Sequence, residues 1–546
     1  MRVLSVILSL FLMATSAIAK GNDSNYSHEL SIARDFLLSV GISPGNIQVE
    51  YSSDKLVTFA DEQNLVFAVV VRREYQKYIE NPVVAWGSGD LLWKYAGLAR
   101  YSPEDFMLLN WYESRLQSLK DNDMVYRSPL TFPGNEQVVG PLLGDIKYGQ
   151  EKPYNMFFPA RETIGKKTNC VVGCGPVALS QVLAYYHSDT KPSGTAAIQT
   201  EAGEEYRVNL SNYTFSWNST DEDLAKLMLC SAASVRAIVT PDASSSGLGF
   251  FKHALLNHWH YSPKCSYRQK GKDIETLSTI CEEIDQKRPV ILADSTHMYV
   301  CDGYFKDYVH LNLGWDGCCN GFYMALLSES DTEGLLPFNE MLIGIRPMGE
   351  EETKSLNISV SQPGTLADYI SEAQRDCITS IKVSGQIDGE DIAILRQMGQ
   401  NGSLMELDLS DARIVRGGCY VTRSANGMVF SGTFKSGKTK LKYHYDMSNL
   451  KPGQFREMEI RGITRKPTRL IRPQGKGYVV SWYADDATIG PYMFDGCDNL
   501  CRIVLPKNLK EVKENAFFGC FSLSKVEGLP LNTSSKAFNN TVLVKR

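Results

Sequence analysis

The 546-residue chain is short of several things, and each shortage closes a class of function. It has no charge surplus: 57 Lys and Arg stand against 62 Asp and Glu, a net charge of −5. That balance does not attract a polyanion, so nucleic acid is not expected as a partner. After the N-terminal twenty residues no apolar run reaches the ~18 residues a membrane span needs. Thirteen cysteines are sparse for this length and contain no CxxC pair. Neither a disulfide scaffold nor a zinc ribbon is expected, and the odd count leaves at least one thiol unpaired within the chain. Cys and His nowhere cluster at ligand spacing, so no metal and no cofactor is expected. With only eight histidines, every partner for a reactive thiol can be weighed in turn.

What is present begins with "MRVLSVILSLFLMATSAIAK". Arg2 supplies the basic start, Val3 to Met13 the apolar stretch and Ala17-Ile18-Ala19 the small-x-small cut, the pattern of a secretory signal peptide over residues 1–19. No cysteine lies at the cut, so a lipid anchor is not expected. The chain is expected to be secreted, periplasmic or on the cell surface, without a membrane span.

The remainder is too long for one core and divides into three parts. Residues 20–135 alternate helix-like and strand-like patterns: "SHELSIARDFLLSVG" and "SPEDFMLLNWYESRLQSLKD" predict helices, "NLVFAVVVRREY" a buried strand. The Pro- and Gly-rich "NDMVYRSPLTFPGNEQVVGPLLGD" reads as a linker. Residues 136–348 have one strong helix early and a meander late, in "RPVILAD", "HMYVCDGYF", "YVHLNLGW" and "GFYMALL". One helix followed by an antiparallel sheet is an α+β arrangement. In residues 349–546, "MELDLSDARIV" has the look of a leucine-rich repeat. Aligning Cys497 with Cys520 sets a 23-residue period that pairs Phe494 with Phe517, Gly496 with Gly519 and Leu500 with Leu523, and that Leu505 and Leu529 track only roughly. Only two units are clear, which predicts a short solenoid. The stretch "YHYDMSNLKPGQFREMEIRGITRKPTRL" fits no repeat.

The chemistry-bearing stretch is "VVGCGPVALSQVLAYYH". Gly173 and Gly175 let the backbone turn tightly around Cys174, and Pro176 suits a first helical position. A helix N-terminus and a neighbouring imidazolium both favour a thiolate. His187 is excluded as that neighbour, because it lies about 19 Å away along the same helix at 1.5 Å per residue. His28 precedes the linker, and His253, His258 and His260 fall in a helix and its end. His297 and His310 begin or interrupt strands near the end of this domain, and His297 starts its strand, a good place from which to present an imidazole. Asn312 lies one strand later, where its amide would accept the ring N–H. Gln150, upstream, would donate to an oxyanion. Cys170 is a rival thiol without the helix start. Asp302, at an odd offset from His297 in one strand, points to the other face and is not proposed as the triad acid.

Four motifs, "KYGQEKPYN", "GCGPVALSQVLAYYH", "HMYVCDGY" and "VHLNLGWDGCCNGFY", occur in the order and approximate spacing of the streptopain family of papain-like bacterial cysteine peptidases. The resemblance covers roughly residues 140–348, and residues 24–120 resemble that family's propeptide. The C-terminal part resembles the leucine-rich repeats of surface proteins from Bacteroides-like bacteria. The resemblance implies a papain-like peptidase domain behind an α+β prodomain and before a short repeat solenoid. It also implies a zymogen acting on protein or peptide substrates, often with an apolar residue two positions before the cut. By motif match Cys174 would be the nucleophile, His297 the general base, and Asn312 its orienter. Gln150 and the Cys174 N–H would form the oxyanion hole, with Gly173 and Trp315 supporting the cleft. The repeats imply a host or cell-surface protein as a further partner. Where the family has Gly before the histidine this chain has Thr296, and where it has Trp after the asparagine this chain has Leu313. Those departures leave a second reading: a weak or inactive peptidase whose repeats make it an adhesin-like binding protein. "CGP" also resembles the start of bacteriocin-processing peptidases, which leaves a third, a peptidase dedicated to one partner.

Overall fold

The computed structural model describes residues 23–61, 63, 65–88, 107–127, 137–163, 166–187, 191–217, 220–271, 273–325, 336–425, 429–436, 439–446, 469–474, 477–539, 541 and 543. The signal-peptide stretch, the start of the helix expected at Ser102 and the middle of the linker lie outside them. Two compact units are formed: Met1–Tyr185 with Arg268–Met341, and Tyr186–Tyr267 with Leu342–Arg546.

In the first unit, strands Gln48–Ser52, Leu56–Asp61, Val66–Val71 and Val83–Ser88 pair antiparallel in chain order. The last of them pairs with Gly321–Met324, which continues antiparallel into Tyr308–Asn312, Met298–Phe305 and Val290–Ala293. The N-terminal segment and the expected meander therefore share one sheet. Strands buried on both faces need apolar residues at every position, which is why "VFAVVV" and "VILA" do not alternate. At the joint Trp86 stacks on Phe322, with centroids 4.3 Å apart and planes 10° apart. Gly321 is required there, because a Cβ would lie 2.5 Å from the Phe67 ring. Helix Ser27–Ser39 covers the joint through Phe36, whose ring lies 5.9 Å from Trp86 and 6.0 Å from Tyr308. From helix Met107–Asp121, Tyr112 donates to the Met324 carbonyl.

Helix Cys174–Tyr186 is buried from Gly175 to Ala184, Ser180 and Gln181 included. It is a core helix covered on all sides, more than the one apolar face its periodicity predicts. The end of the expected linker is also more ordered than its composition suggests. Val139 exchanges both backbone hydrogen bonds with Tyr304, Leu142 N donates to the Asp302 carbonyl, and the Ile146 carbonyl accepts from Asn312. Residues 139–146 form a strap across the sheet.

The second unit contains the repeats. Strands Lys354–Val360, Ile378–Ile387, Glu406–Asp408, Arg502–Val504 and Lys525–Glu527 pair in parallel, with Glu406, Arg502 and Lys525 in one row. The ladder is longer than two units. Part of the stretch that fits no repeat belongs to an antiparallel β insertion between the third and fourth strands: Gly417–Ala425 pairs with Gly477–Ala484, which pairs with Arg469–Gln474. A second antiparallel pair is Val429–Ser436 with Thr439–Asp446. Phe494 stacks on Phe517 at 5.6 Å and Phe517 on Phe538 at 5.1 Å, which adds a third, slightly shorter unit to the pattern. The proposed pairing of Leu505 with Leu529 fails: Leu505 is buried, whereas Leu529 is 45% exposed. A 23-residue step from Leu505 lands on Gly528, which turns the chain at φ +80°. Asn257, at the end of helix Gly249–Asn257, donates to the Ser522 carbonyl and accepts from Ser524, tying the helix to the last repeats.

Candidate active site

Cys174 is the first residue of its helix, so its sulfur meets the unpaired N–H groups of the first turn. Gly173 turns the chain into the helix at φ +92°, a conformation that suits glycine. Pro176 falls third rather than first, still within the turn whose N–H groups have no helical partner. The preceding chain is anchored: Val172 N donates to the Gln150 carbonyl, Cys170 N to the Pro159 carbonyl, and Asn155 to the Cys170 carbonyl. Gln150 is thus held beside the approach to Cys174. Its loop is fixed by Tyr148 N donating to buried Gln181 and by Tyr154 donating to Asp316 at 2.6 Å.

His297 enters from the turn between strands Val290–Ala293 and Met298–Phe305. Its ring and the Cys174 thiol lie close enough to act on each other electrostatically. Trp315 walls the ring, with centroids 4.9 Å apart, and Tyr299 stacks on it at 6.0 Å. The partner of His297 Nε2 is the Leu313 carbonyl oxygen, 2.9 Å away. That corrects the expected geometry at Asn312. The Asn312 amide donates to the Ile146 carbonyl at 2.8 Å and accepts from Gly314 N at 3.2 Å, so it faces the strap and its own turn. In the strand Asn312 is a buried, paired position, and the residue after it offers its backbone to the histidine.

Burial pushes the Cys174 thiol up, but the charge and hydrogen bond of His297 outweigh it, helped by backbone N–H groups of Met298 and Gly175. The net effect holds the thiol below the usual range. Burial pulls the His297 ring down, and it too is overridden, by the Cys174 charge and hydrogen bond, the Leu313 carbonyl and Asp294. The ring is held above the usual imidazole range. A thiolate facing an imidazolium satisfies both. Burial pushes the rival thiol Cys170 up instead, and it does the same to Cys301. Asp302 lies on a bulge of its strand and pairs with His310 at 2.6 Å, away from this site. All thirteen cysteines are free thiols, and among the described residues no His, Cys, Asp and Glu group has the spacing to hold a metal.

Residues 148–323 match the Peptidase C10 family, and residues 484–544 match the BspA type leucine rich repeat region in six copies. The chain thus has one region similar to the Peptidase C10 family and one similar to BspA-type repeats. Streptopain of Streptococcus pyogenes serotype M1 is 21% identical over 287 residues, which is 44% of this chain and 71% of streptopain. A prointerpain A fragment of Prevotella intermedia superposes at a TM-score of 0.46 with 18% identity, over 56% of this chain and 99% of the fragment. Active interpain A cysteine protease of the same organism superposes at 0.34 with 22% identity, over 40% of this chain and 98% of its own. The peptidase C10 region contains Cys174, His297, Asn312 and Trp315, and it begins two residues before Gln150.

Two features of the C10 region escaped the sequence reading. A backbone carbonyl as the histidine's partner leaves no trace in side-chain identity. Asp294 was legible: an Asp followed by Ser-Thr ahead of a strand is a turn signal.

Proposed function

We propose that the chain is an exported cysteine endopeptidase made as a zymogen, with Cys174 as nucleophile and His297 as its acid–base partner. The observation that carries this is a thiol at the first residue of a buried helix, electrostatically paired with a histidine whose Nε2 is held by the Leu313 carbonyl and whose face is walled by Trp315. In this reading the Cys174 thiolate attacks the scissile carbonyl carbon, and the electron pair of the carbonyl moves to oxygen. The Cys174 N–H and Gln150 receive that oxyanion. The intermediate collapses to a thioester as His297 gives its proton to the departing amine. Neutral His297 then takes a proton from water, whose oxygen attacks the thioester; the intermediate collapses, the carboxylic acid product leaves and the Cys174 thiolate is restored facing the imidazolium. Leu313 supplies the ring's second hydrogen bond, and Asn312 acts at one remove by fixing the turn at Gly314 and the strap at Ile146. Residues 20–135 would be the prosegment, continuous in sheet with the peptidase region and released by cleavage between Lys120 and Gly140. The BspA-type repeats would bind a protein on a host or cell surface.

The test is incubation of the full chain and of Cys174→Ala under reducing conditions, with chain length followed by mass spectrometry. Shortening of the wild type alone between Lys120 and Gly140 supports the reading. A wild type that stays inert toward protein substrates after that cut has been made by another protease overturns it in favour of a binding protein.

A further inference from the structure

The turn that delivers His297 is built around one carboxylate. Asp294 Oδ1 accepts from Thr296 N at 2.5 Å, from Thr296 Oγ1 at 2.7 Å and from His297 N at 2.8 Å. Asp294 N donates back to the His297 carbonyl at 3.0 Å, closing the turn directly on the pair Ala293–Met298 of the strand ladder. The backbone of His297 is therefore held at its N–H and its C=O by the same residue. The ring is held separately, by Leu313 at Nε2 and by Trp315 on its face. Thr296, one of the departures from the family pattern, uses its hydroxyl in this cap, which glycine lacks.

We infer that Asp294 is a positioning residue for His297, setting its backbone through the cap and favouring its imidazolium through the negative charge of the carboxylate. The inference rests on the peptidase reading for its consequence in catalysis. Besides Asp294, the titratable groups acting on the ring are the Cys174 thiol and, stacked on it, the Tyr299 phenol. Of these, Cys174 and Asp294 act on the ring in the direction that favours its imidazolium. A half-buried carboxylate is partly screened by solvent, so its effect on the ring is smaller than that of a fully buried pair.

Two substitutions separate the roles. Asp294→Asn keeps an acceptor at Oδ1 and removes the charge, while Asp294→Ala removes both. The rate of Cys174 alkylation by iodoacetamide, measured against pH, reads the ion pair without any substrate. In Asp294→Asn the pH at which the imidazolium is lost should move down by about half a unit, with the acid limb nearly unmoved. Peptidase turnover, measured on a casein digest, should keep its KM and show the same shift in its alkaline limb. Asp294→Ala should show the shift and also a fall in kcat that Asp294→Asn recovers. In the wild type, added salt should move the alkaline limb the same way as the asparagine does, which tests the charge without altering the chain. An alkylation profile of Asp294→Asn identical to wild type, together with a salt-independent wild type, overturns the electrostatic role. An alanine variant with wild-type kcat overturns the positioning role. A wild-type Cys174 that alkylates only as an ordinary thiol overturns the proposed function itself, an outcome distinct from both.

Discussion

The ring of His297 is oriented by the carbonyl oxygen of Leu313, 2.9 Å from Nε2, while the amide of neighbouring Asn312 turns to the Ile146 carbonyl. A backbone acceptor cannot be deleted by changing a side chain, so substitutions at these two positions should separate stability from chemistry. Asn312→Ala leaves the Ile146 carbonyl and Gly314 N–H without their partner and should cost about 1–3 kcal/mol of stability. Leu313→Ala empties a fully buried site and should cost about 2–5 kcal/mol. Both should keep the wild-type pH dependence of Cys174 alkylation, measured beside thermal unfolding.

The pH response of the thiol follows from the directions of the two shifts. Cys174 is lowered, so its thiolate persists as pH falls until the lowered value is passed. His297 is raised, so its imidazolium persists as pH rises to the raised value. The reactive pair occupies the window between them, and activity against pH should be a bell within it. His297→Ala leaves the burial and removes the charge, so the thiol should move up. Each unit of that move lowers alkylation near pH 6 by about tenfold.

The strap at 139–146 depends on the buried pair Asp302–His310. Asp302 Oδ1 meets His310 at 2.6 Å and Oδ2 accepts from Leu143 N at 2.9 Å. His310→Ala leaves a buried Asp302 oxygen short of a hydrogen-bond partner, which should cost about 1–3 kcal/mol. Hydrogen exchange at the Leu143 amide should quicken in that variant before global unfolding does.

In the repeats, Phe517 lies between Phe494 and Phe538 and is fully buried. Phe517→Ala should cost about 3–5 kcal/mol and loosen both neighbours, seen as earlier loss of protection in residues 488–539. The exposed Leu529→Ala should change stability by less than ~0.5 kcal/mol.

Some of this architecture is carried by local chemistry. The strands "VILA", "MYVCDGYF", "YVHLN" and "GFYM" are short apolar runs that pair in chain order, since each is joined to the next by a short turn or loop. Cys174 announces its helix start through Gly173 and the apolar run after it. The stacked Phe494 and Phe517 follow from a period that the chain repeats.

Other features depend on residues far apart in sequence. The motif points to Asn312 because side chains are what a sequence displays, and the Leu313 carbonyl has no residue code. The register that joins Trp86 to Phe322 unites segments more than 200 residues apart, which neither segment's periodicity encodes. The β insertion between Asp408 and Arg502 separates two strands of one parallel ladder, so counting along the chain breaks the repeat that the fold preserves. The local elements, the helix-terminal thiol and the candidate histidine are therefore legible from residue order alone, because spacing and turn chemistry act over a few residues. Which groups face that histidine and which strands close the sheets emerge on folding, because those contacts are selected by burial and backbone hydrogen bonding across distant parts of the chain.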